Sequence, residues 1–186
     1  MHALFGAEGL VCLDADDVRL KTIFAPIMEA DLKQQVHEPI VRATTEKLEA
    51  LGYKTQVSAR PVNLFELTEN DRVRLETGDS VDITKASPNV ILRPLYQEVI
   101  LPNLAYIGGP AEVAYWLQLK GVFDTVNEVY PLIQVRSSLL FIDAITAKKM
   151  DKVSMNLSQL FEDVAIVKKG YLKEFASEEV DFTNIE

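Results

Sequence analysis

The side chains that could do chemistry are concentrated in residues 93–120, where polar groups stand between apolar runs. The apolar run over residues 100–107 stops at Gly108-Gly109. Neither glycine has a side chain, so the backbone can turn sharply there and approach a bound group closely. Pro110 then begins a predicted helix, because proline suits the first helical position. The free N–H groups of that first turn predict a position for an anion.

Glu112 follows in the first turn of this helix, and its role has two interpretations. Its carboxylate could stabilise the helix start by about 0.3–1 kcal/mol, or it could act as a base or an amine anchor. The first interpretation is the simpler one, since helix starts favour acidic residues whatever their function. Helical spacing places Val113, Trp116 and Leu117 toward the core, with Glu112 and Tyr115 toward a cleft.

Arg93 and Arg136 are the candidate anion-binding side chains, because a guanidinium fork can hold a carboxylate or a phosphate with two hydrogen bonds. Other catalytic signatures do not occur: the sequence has no phosphate-binding GxxxxGK[ST] or GxGxxG loop, no HExxH and no GxSxG. Cys12, the only cysteine, is expected to be a small buried hydrophobe. His37 is expected at the surface, and with His2 it makes no convincing metal site, so no metal is predicted.

Composition limits the classes of partner. The chain has 186 residues, a net charge of -9 and 48% hydrophobic residues, which is typical of a globular protein with a real core. The acidic balance argues against nucleic acid, because phosphate backbones bind clustered lysine and arginine. The sequence has no apolar run of membrane-spanning length, and its start lacks the regions of a signal peptide. We therefore expect a cytoplasmic protein that binds neither nucleic acid nor membrane.

Hydrophobic periodicity predicts an α/β protein. Residues 10–13 are expected to form a buried strand, followed by Asp14 at the strand end, where α/β sheets place ligand-binding loops. Asp16 or Asp17 is expected to cap a helix that begins near residue 18 and that Pro26 bends or splits.

The rest of the chain predicts further elements. A second helix is expected over residues 38–51, ending before Gly52, and then a strand over residues 53–58. A small antiparallel meander is predicted from residues 62–67, 72–76 and 80–84, and a helix capped by Ser87-Pro88 and interrupted at Pro94. A strand over residues 130–142 is interrupted by polar residues 136–138, and the chain is helical from Asp143.

Three stretches closely resemble the bacillithiol biosynthesis cysteine-adding enzyme family. The first lies in residues 93–120 and contains RPLYQE, LPNLAYIGGPAE and AYWLQLK. The others are LFGAEGLVCLDADD at residues 4–17, and LEALGYKTQV with NLFEL at residues 48–67. The resemblance covers most of the chain to about Ile142. It implies a Rossmann-like parallel sheet core related to class I aminoacyl-tRNA synthetases, with an inserted small antiparallel β segment and a C-terminal helical coiled coil that forms a homodimer.

The reaction that this resemblance implies joins L-cysteine to the amine of glucosaminyl-malate, giving bacillithiol. Activation of the cysteine carboxylate by ATP would supply the driving force for the amide bond. In the implied site, Glu112 and Arg93 are the catalytic candidates and Asp14 is the cofactor-binding candidate. The substrate-binding candidates are Gly108, Gly109, Tyr106, Tyr115, Gln97 and Arg136.

Family members are longer, and their Thr-Gly-Gln-Gln nucleotide loop lies upstream of the segments found here. The resemblance therefore implies a central fragment that is inactive alone. Its expected domains are a Rossmann-like segment (1–60), a β insertion (61–86), a second core segment with the GGPAE helix (87–145) and the start of a coiled coil (146–186). The alternative is a non-enzymatic truncated module that binds small molecules or self-associates through residues 153–175.

Overall fold

The computed structural model describes residues 2–175, which divide into two units between Ser137 and Ser138. The helices of the first unit are α1 (His2–Phe5), α2 (Val18–Gln34), α3 (His37–Ala50), α4 (Arg93–Ile100), α5 (Pro110–Trp116) and α6 (Lys120–Asp124). Its strands are β1 (Leu64–Leu67), β2 (Arg72–Arg74), β3 (Ala86–Pro88), β4 (Ala105–Gly108) and β5 (Leu132–Val135). The second unit contains α7 (Ala144–Lys152) and α8 (Val164–Phe175).

The first two long helices begin close to where the sequence predicts, and the second also ends there. Asp17 caps α2, and its carboxylate accepts a hydrogen bond from the backbone N of Arg19 at 2.9 Å. Helix α2 continues through Pro26, so the helix is not split there. Helix α3 confirms the second predicted helix, and Gly52 follows it with a φ of +85°, a left-handed conformation that favours glycine.

The predicted meander is present as an antiparallel sheet in the order β2-β1-β3. Phe65 at its centre pairs with Arg74 on one side and Ser87 on the other. The third strand is β3 rather than residues 80–84, because Asp82 caps a short turn there by accepting a hydrogen bond from the backbone N of Thr84 at 3.0 Å.

The helix predicted to begin at Ser87-Pro88 is wrong, because both residues belong to β3. Helix α4 begins instead at Arg93. Pro94 lies in its first turn, where a missing N–H leaves no helical hydrogen bond unmade, so the predicted interruption does not occur.

Strands β4 and β5 form a separate parallel pair, with Ala105 opposite Leu132 and Gly108 opposite Val135. This pair is the parallel element expected of a Rossmann-like core, although only four residues of the predicted 130–142 strand take part. The carboxyl ends of both strands lie at the same edge, which brings Gly109 and Arg136 together.

Two predicted strands are absent from the part of the chain that the structure describes. Residues 10–13 are extended but pair with no strand, and Val11 and Cys12 are exposed, so the buried strand and the buried thiol are both wrong. Residues 53–58 also lack a strand partner. Neither an apolar run nor an alternating pattern makes a strand by itself. The backbone N–H and C=O groups of a strand also need a neighbour with which to form hydrogen bonds.

For residues 53–58 that neighbour is one side chain. The amide of Gln118, which is fully buried, accepts hydrogen bonds from the backbone N of Gln56 at 3.0 Å and of Val57 at 3.2 Å. Its Nε2 donates to the carbonyl of Val57 and to Thr45 Oγ1, both at 2.8 Å. Gln118 thereby ties the extended segment to α3 as a strand would.

A buried polar cluster joins α2, α3 and the start of the meander. Asp31 Oδ2 accepts from the backbone N of Asn63 at 2.6 Å, and Asp31 Oδ1 lies 2.8 Å from His37 Nδ1. The three residues are 0–1% exposed. The prediction of a surface His37 is therefore wrong: the carboxylate of Asp31 satisfies the imidazole inside the core.

The aromatic part of the core surrounds Trp116, which is fully buried. Tyr106 stacks on it with ring centroids 4.4 Å apart, and Phe123 and Tyr130 pack at 5.7 Å. Tyr130 also donates a hydrogen bond to the Trp116 carbonyl at 2.6 Å, and burial raises the pKa of its hydroxyl to about 12. The aromatic cluster fixes α5 against β4.

The second unit confirms helical structure after Asp143, whose carboxylate caps α7 by accepting from the backbone N of Ile145 and of Thr146. Several of its apolar side chains are exposed: Leu157, Phe161, Val164 and Ile166. Within residues 2–175, none of the helices is long and apolar enough to cross a membrane.

Replacing Asp31 with asparagine should destabilise the first unit by about 2–4 kcal/mol, because an amide donor would then face the N–H groups that now meet a carboxylate. Urea unfolding followed by the fluorescence of Trp116, the single tryptophan, measures the change. Glu29→Gln on the same helix is the matched control, since Glu29 forms an exposed pair with Lys33. Equal midpoints for the Asp31 variant and the control would contradict this account of the cluster.

Candidate functional site

The junction between β4 and α5 is closed by the carboxylate of Glu112. Gly109 is extended and precedes the helix, so Glu112 is its third residue. Glu112 Oε2 accepts a hydrogen bond from the backbone N of Gly109 at 2.8 Å, and Oε1 accepts one from the Tyr106 hydroxyl at 2.9 Å. This is the glutamate half of a capping box, which satisfies an N–H group at the helix start.

The glycine bend is covered by protein side chains. Both glycines are buried, and a Cβ added to Gly108 would lie 2.7 Å from Cε1 of Tyr106. A Cβ added to Gly109 would lie 3.3 Å from the terminal nitrogen Nη2 of Arg136. The position expected for an external anion is therefore taken by Glu112 itself, and the glycines allow the close approach of Tyr106 and Arg136 rather than exposing backbone.

The hydrogen bonds at the junction set the charge state of Glu112. The N–H of Gly109, then the hydroxyl of Tyr106, keep the pKa of this carboxyl below its usual 4.5, and the charges of Arg136 and Arg93 add to the effect. Burial, together with the bond to Glu112, raises the pKa of the Tyr106 hydroxyl. A carboxylate with a lowered pKa is a weak proton acceptor, so this geometry favours a helix-end anchor over a general base.

Arg93 is held beside this junction by Tyr115. The guanidinium donates to the Tyr115 hydroxyl at 3.1 Å, and Tyr115 itself is only 8% exposed. The predicted core position of Leu117 is wrong, since that side chain is 51% exposed. The core position is filled instead by Leu119, because the helix ends at Trp116 and the chain turns before α6.

An apolar hollow of about 260 Å³ lies on the other side of Arg93. It is lined by Val11, Leu13, Ala15, Arg93, Tyr96, Gln97, Ile100 and Leu101. The hydroxyl of Tyr96 donates to the carbonyl of Ala15 at 2.9 Å, which fixes residues 11–15 against α4. Gln97 lines this hollow, and its assignment as a substrate-binding residue stays a prediction.

Asp14 lies at the edge of this region. Its Oδ1 accepts from the backbone N of Asp16 at 2.9 Å, so the side chain closes a turn. Burial raises the pKa of Tyr96, and the negative charges of Asp16, Asp17 and Asp14 raise it further.

The structure thus brings most of the predicted site residues together and separates two of them. Arg93 lies close enough to both groups to contribute to the lowered pKa of Glu112 and to offset part of the rise in the pKa of Tyr106. Gln97 lines the apolar hollow with Arg93, and Asp14 lies in the turn that precedes α2. Tyr96 was missed, although its position three residues after Arg93 places both on one face of α4.

A parallel strand pair with arginines and a capped helix at its carboxyl edge defines an α/β protein of the Rossmann-like class. The family model described as "Bacillithiol biosynthesis BshC, N-terminal Rossmann-like domain" matches residues 1–86 and 80–137. The chain belongs to this family, which confirms the resemblance seen in the sequence.

Relatives named "Putative cysteine ligase BshC" extend the comparison. The protein from Flavobacterium johnsoniae is 42% identical over 86% of this chain and 34% of its own length. The one from Flavobacterium psychrophilum is 38% identical over 98% of this chain and 38% of its own. The one from a Geobacillus species is 29% identical over 92% and 35%. The chain spans about a third of the length of these relatives.

Replacing Glu112 with glutamine should destabilise the first unit by about 1–2 kcal/mol at pH 7, because two donors lose a charged acceptor. The folded pKa lies below the unfolded one, so the stabilisation is complete above pH 4.5 and is lost as the pH falls through the folded value. The difference between wild type and variant should therefore shrink toward acid pH.

Urea unfolding at several pH values tests this, with the exposed residue Glu46 on α3, changed to glutamine, as the control. A difference that stays constant from pH 7 down to acid pH would show that the carboxylate charge at Glu112 contributes nothing.

Proposed function

We propose that this chain forms one wall of the substrate cleft of an enzyme in bacillithiol biosynthesis that joins L-cysteine to the amine of glucosaminyl-malate. The observation that carries the proposal is the family match over residues 1–137, together with relatives named as cysteine ligases. In this proposal the chain is part of a longer carbon–nitrogen ligase, and the 186-residue chain alone does not catalyse the ligation.

The chemistry of amide formation suits the charges at the β4–α5 edge. Both substrates carry carboxylates, and an arginine fork binds such groups with two hydrogen bonds. Arg93 and Arg136 fill this role in the proposal. Glu112 remains ionised, so it orients Tyr106 or pairs with a substrate ammonium group rather than removing a proton.

The proposed nucleotide fits the described residues only in part. Asp14 Oδ2 has no hydrogen-bond partner among residues 2–175 and could accept a ribose hydroxyl. However, Asp16 and Asp17 stand beside it, and their charges oppose a triphosphate. In this proposal ATP supplies the energy for activating the cysteine carboxylate. No residue of this chain is assigned a step in that activation.

Replacing Arg93 with glutamine in a protein of the relatives' full length should lower kcat/KM for ligation roughly 30- to 150-fold. This corresponds to about 2–3 kcal/mol for a charged hydrogen bond to substrate. Amide formation from cysteine, glucosaminyl-malate and ATP, followed by mass spectrometry, gives the measurement.

Arg74→Gln serves as the control, because Arg74 lies on exposed strand β2 over the ring of Phe65. Unchanged turnover in the Arg93 variant would remove Arg93 from the site. Turnover by the 186-residue chain alone would contradict the proposal that a longer protein is needed.

A second candidate function is self-association through the second unit, giving a homodimer. The observation that favours it is the set of exposed apolar side chains, among which Phe161 is 78% and Val164 66% exposed. Coiled-coil pairing of residues 153–175 is the form of association proposed.

Changing both Phe161 and Val164 to glutamate should convert a dimer to a monomer, because burying two charges in an apolar interface is unfavourable. Sedimentation velocity gives the mass, with Leu51→Glu in the first unit as the control, since Leu51 is 74% exposed. A monomeric wild-type chain, or a dimer that survives the double change, would argue against this interface.

A further inference from the structure

A second hollow lies between the meander and the start of α4, apart from the Glu112 junction. Its volume is about 310 Å³, and Arg93 and Tyr96 form its boundary with the apolar hollow. Its other lining residues are Ala15, Asp16, Leu67, Arg72, Ser87 and Pro88. It is the more polar of the two, with two arginines from separate elements facing one space.

Arg72 is exposed, and three contacts position its guanidinium at this hollow. Its Nη2 donates to the carbonyl of Pro88 at 3.0 Å and to Ser87 Oγ at 3.4 Å. Its guanidinium carbon lies 4.1 Å from the centre of the Phe65 ring, a cation–π contact. A fork fixed in this way loses little conformational entropy when it binds a ligand.

The positive charge in the hollow is only partly offset by the protein, through the electrostatic attraction between Arg93 and the carboxylate of Glu112. Neither Arg72 nor Arg93 has a carboxylate within 4 Å in the described part of the chain. Asp16 is the acidic lining residue, and its Oδ1 pairs with Nζ of Lys21 at 3.0 Å. Because Lys21 is buried and balances Asp16, the two guanidinium groups remain in excess.

We propose that this hollow binds a small dianionic group, a dicarboxylate or a phosphate, between Arg72 and Arg93. Two fixed guanidinium groups favour a ligand with two negative charges, since each fork can take one oxygen pair. Ser87 Oγ adds a hydroxyl that can donate to the same ligand. The inference does not depend on the ligation reaction, because it concerns binding by this chain alone.

The test is calorimetric titration of the 186-residue chain with succinate and, separately, with inorganic phosphate, in low-salt buffer with chloride at matched ionic strength as the blank. At least one of the two anions should bind with one-to-one stoichiometry. Arg72→Gln should weaken that binding at least tenfold, whereas Arg74→Gln should leave it within twofold. Arg74 is a matched control, since it lies two residues along the same strand over the same ring but does not line the hollow.

Binding of succinate alone identifies a dicarboxylate site, and binding of phosphate alone identifies a phosphate site; either supports the proposal. Heat no greater than that of chloride overturns it, as does equal weakening by the two β2 variants. If Arg72→Gln does not fold, Arg93→Gln on α4 must give the same tenfold loss, and persistence of binding then overturns the proposal. Failure here leaves the proposed ligation standing, because that proposal is judged by turnover.

Discussion

One carboxylate holds the β4–α5 edge together. Glu112 accepts from the backbone of Gly109 and from the hydroxyl of Tyr106, and Tyr106 stacks on Trp116 at the centre of the aromatic core. This ionised group at a helix start, together with the aromatic packing around Trp116, therefore positions α5, and with it Tyr115 and the Arg93 fork. The pKa of that group is lowered by the same contacts that fix its geometry. The same two hydrogen bonds therefore set both the position and the charge state of Glu112.

The arginines near the two candidate sites belong to a chain that is acidic overall. The chain as a whole carries a net charge of -9. Nevertheless Arg72, Arg93 and Arg136 have no ion-pair partner within 4 Å among residues 2–175. The charges of Arg93 and Arg136 also help to lower the pKa of Glu112, so that carboxylate offsets part of their positive charge. The remaining excess of positive charge is the electrostatic condition for binding a small anion. That condition agrees with substrates that bear carboxylates.

Helix ends that depend on a few neighbouring residues were predicted correctly from the sequence. Elements that depend on residues distant in the chain were not. The Asp17 cap, Gly52 and the Pro110 helix start are each decided within one turn of chain, so the sequence was sufficient for them. The strand predictions failed for the apolar run at residues 10–13 and for the alternating pattern at residues 53–58, because neither pattern says which partner satisfies the backbone. At residues 53–58 that partner is the side chain of Gln118, sixty residues away. His37 and Arg72 were misjudged or overlooked for the same reason, since Asp31 and the hollow beside α4 are distant in sequence.

The central claim is that Glu112 is an ionised anchor whose charge is stabilised by Gly109 and Tyr106. The most direct measurement is the titration of the Glu112 side-chain carboxyl carbon by NMR in the 186-residue chain, repeated with Tyr106→Phe. The account predicts a midpoint below 4.5 that rises when the tyrosine hydroxyl is removed. A midpoint at or above 4.5, unchanged in the phenylalanine variant, would contradict it.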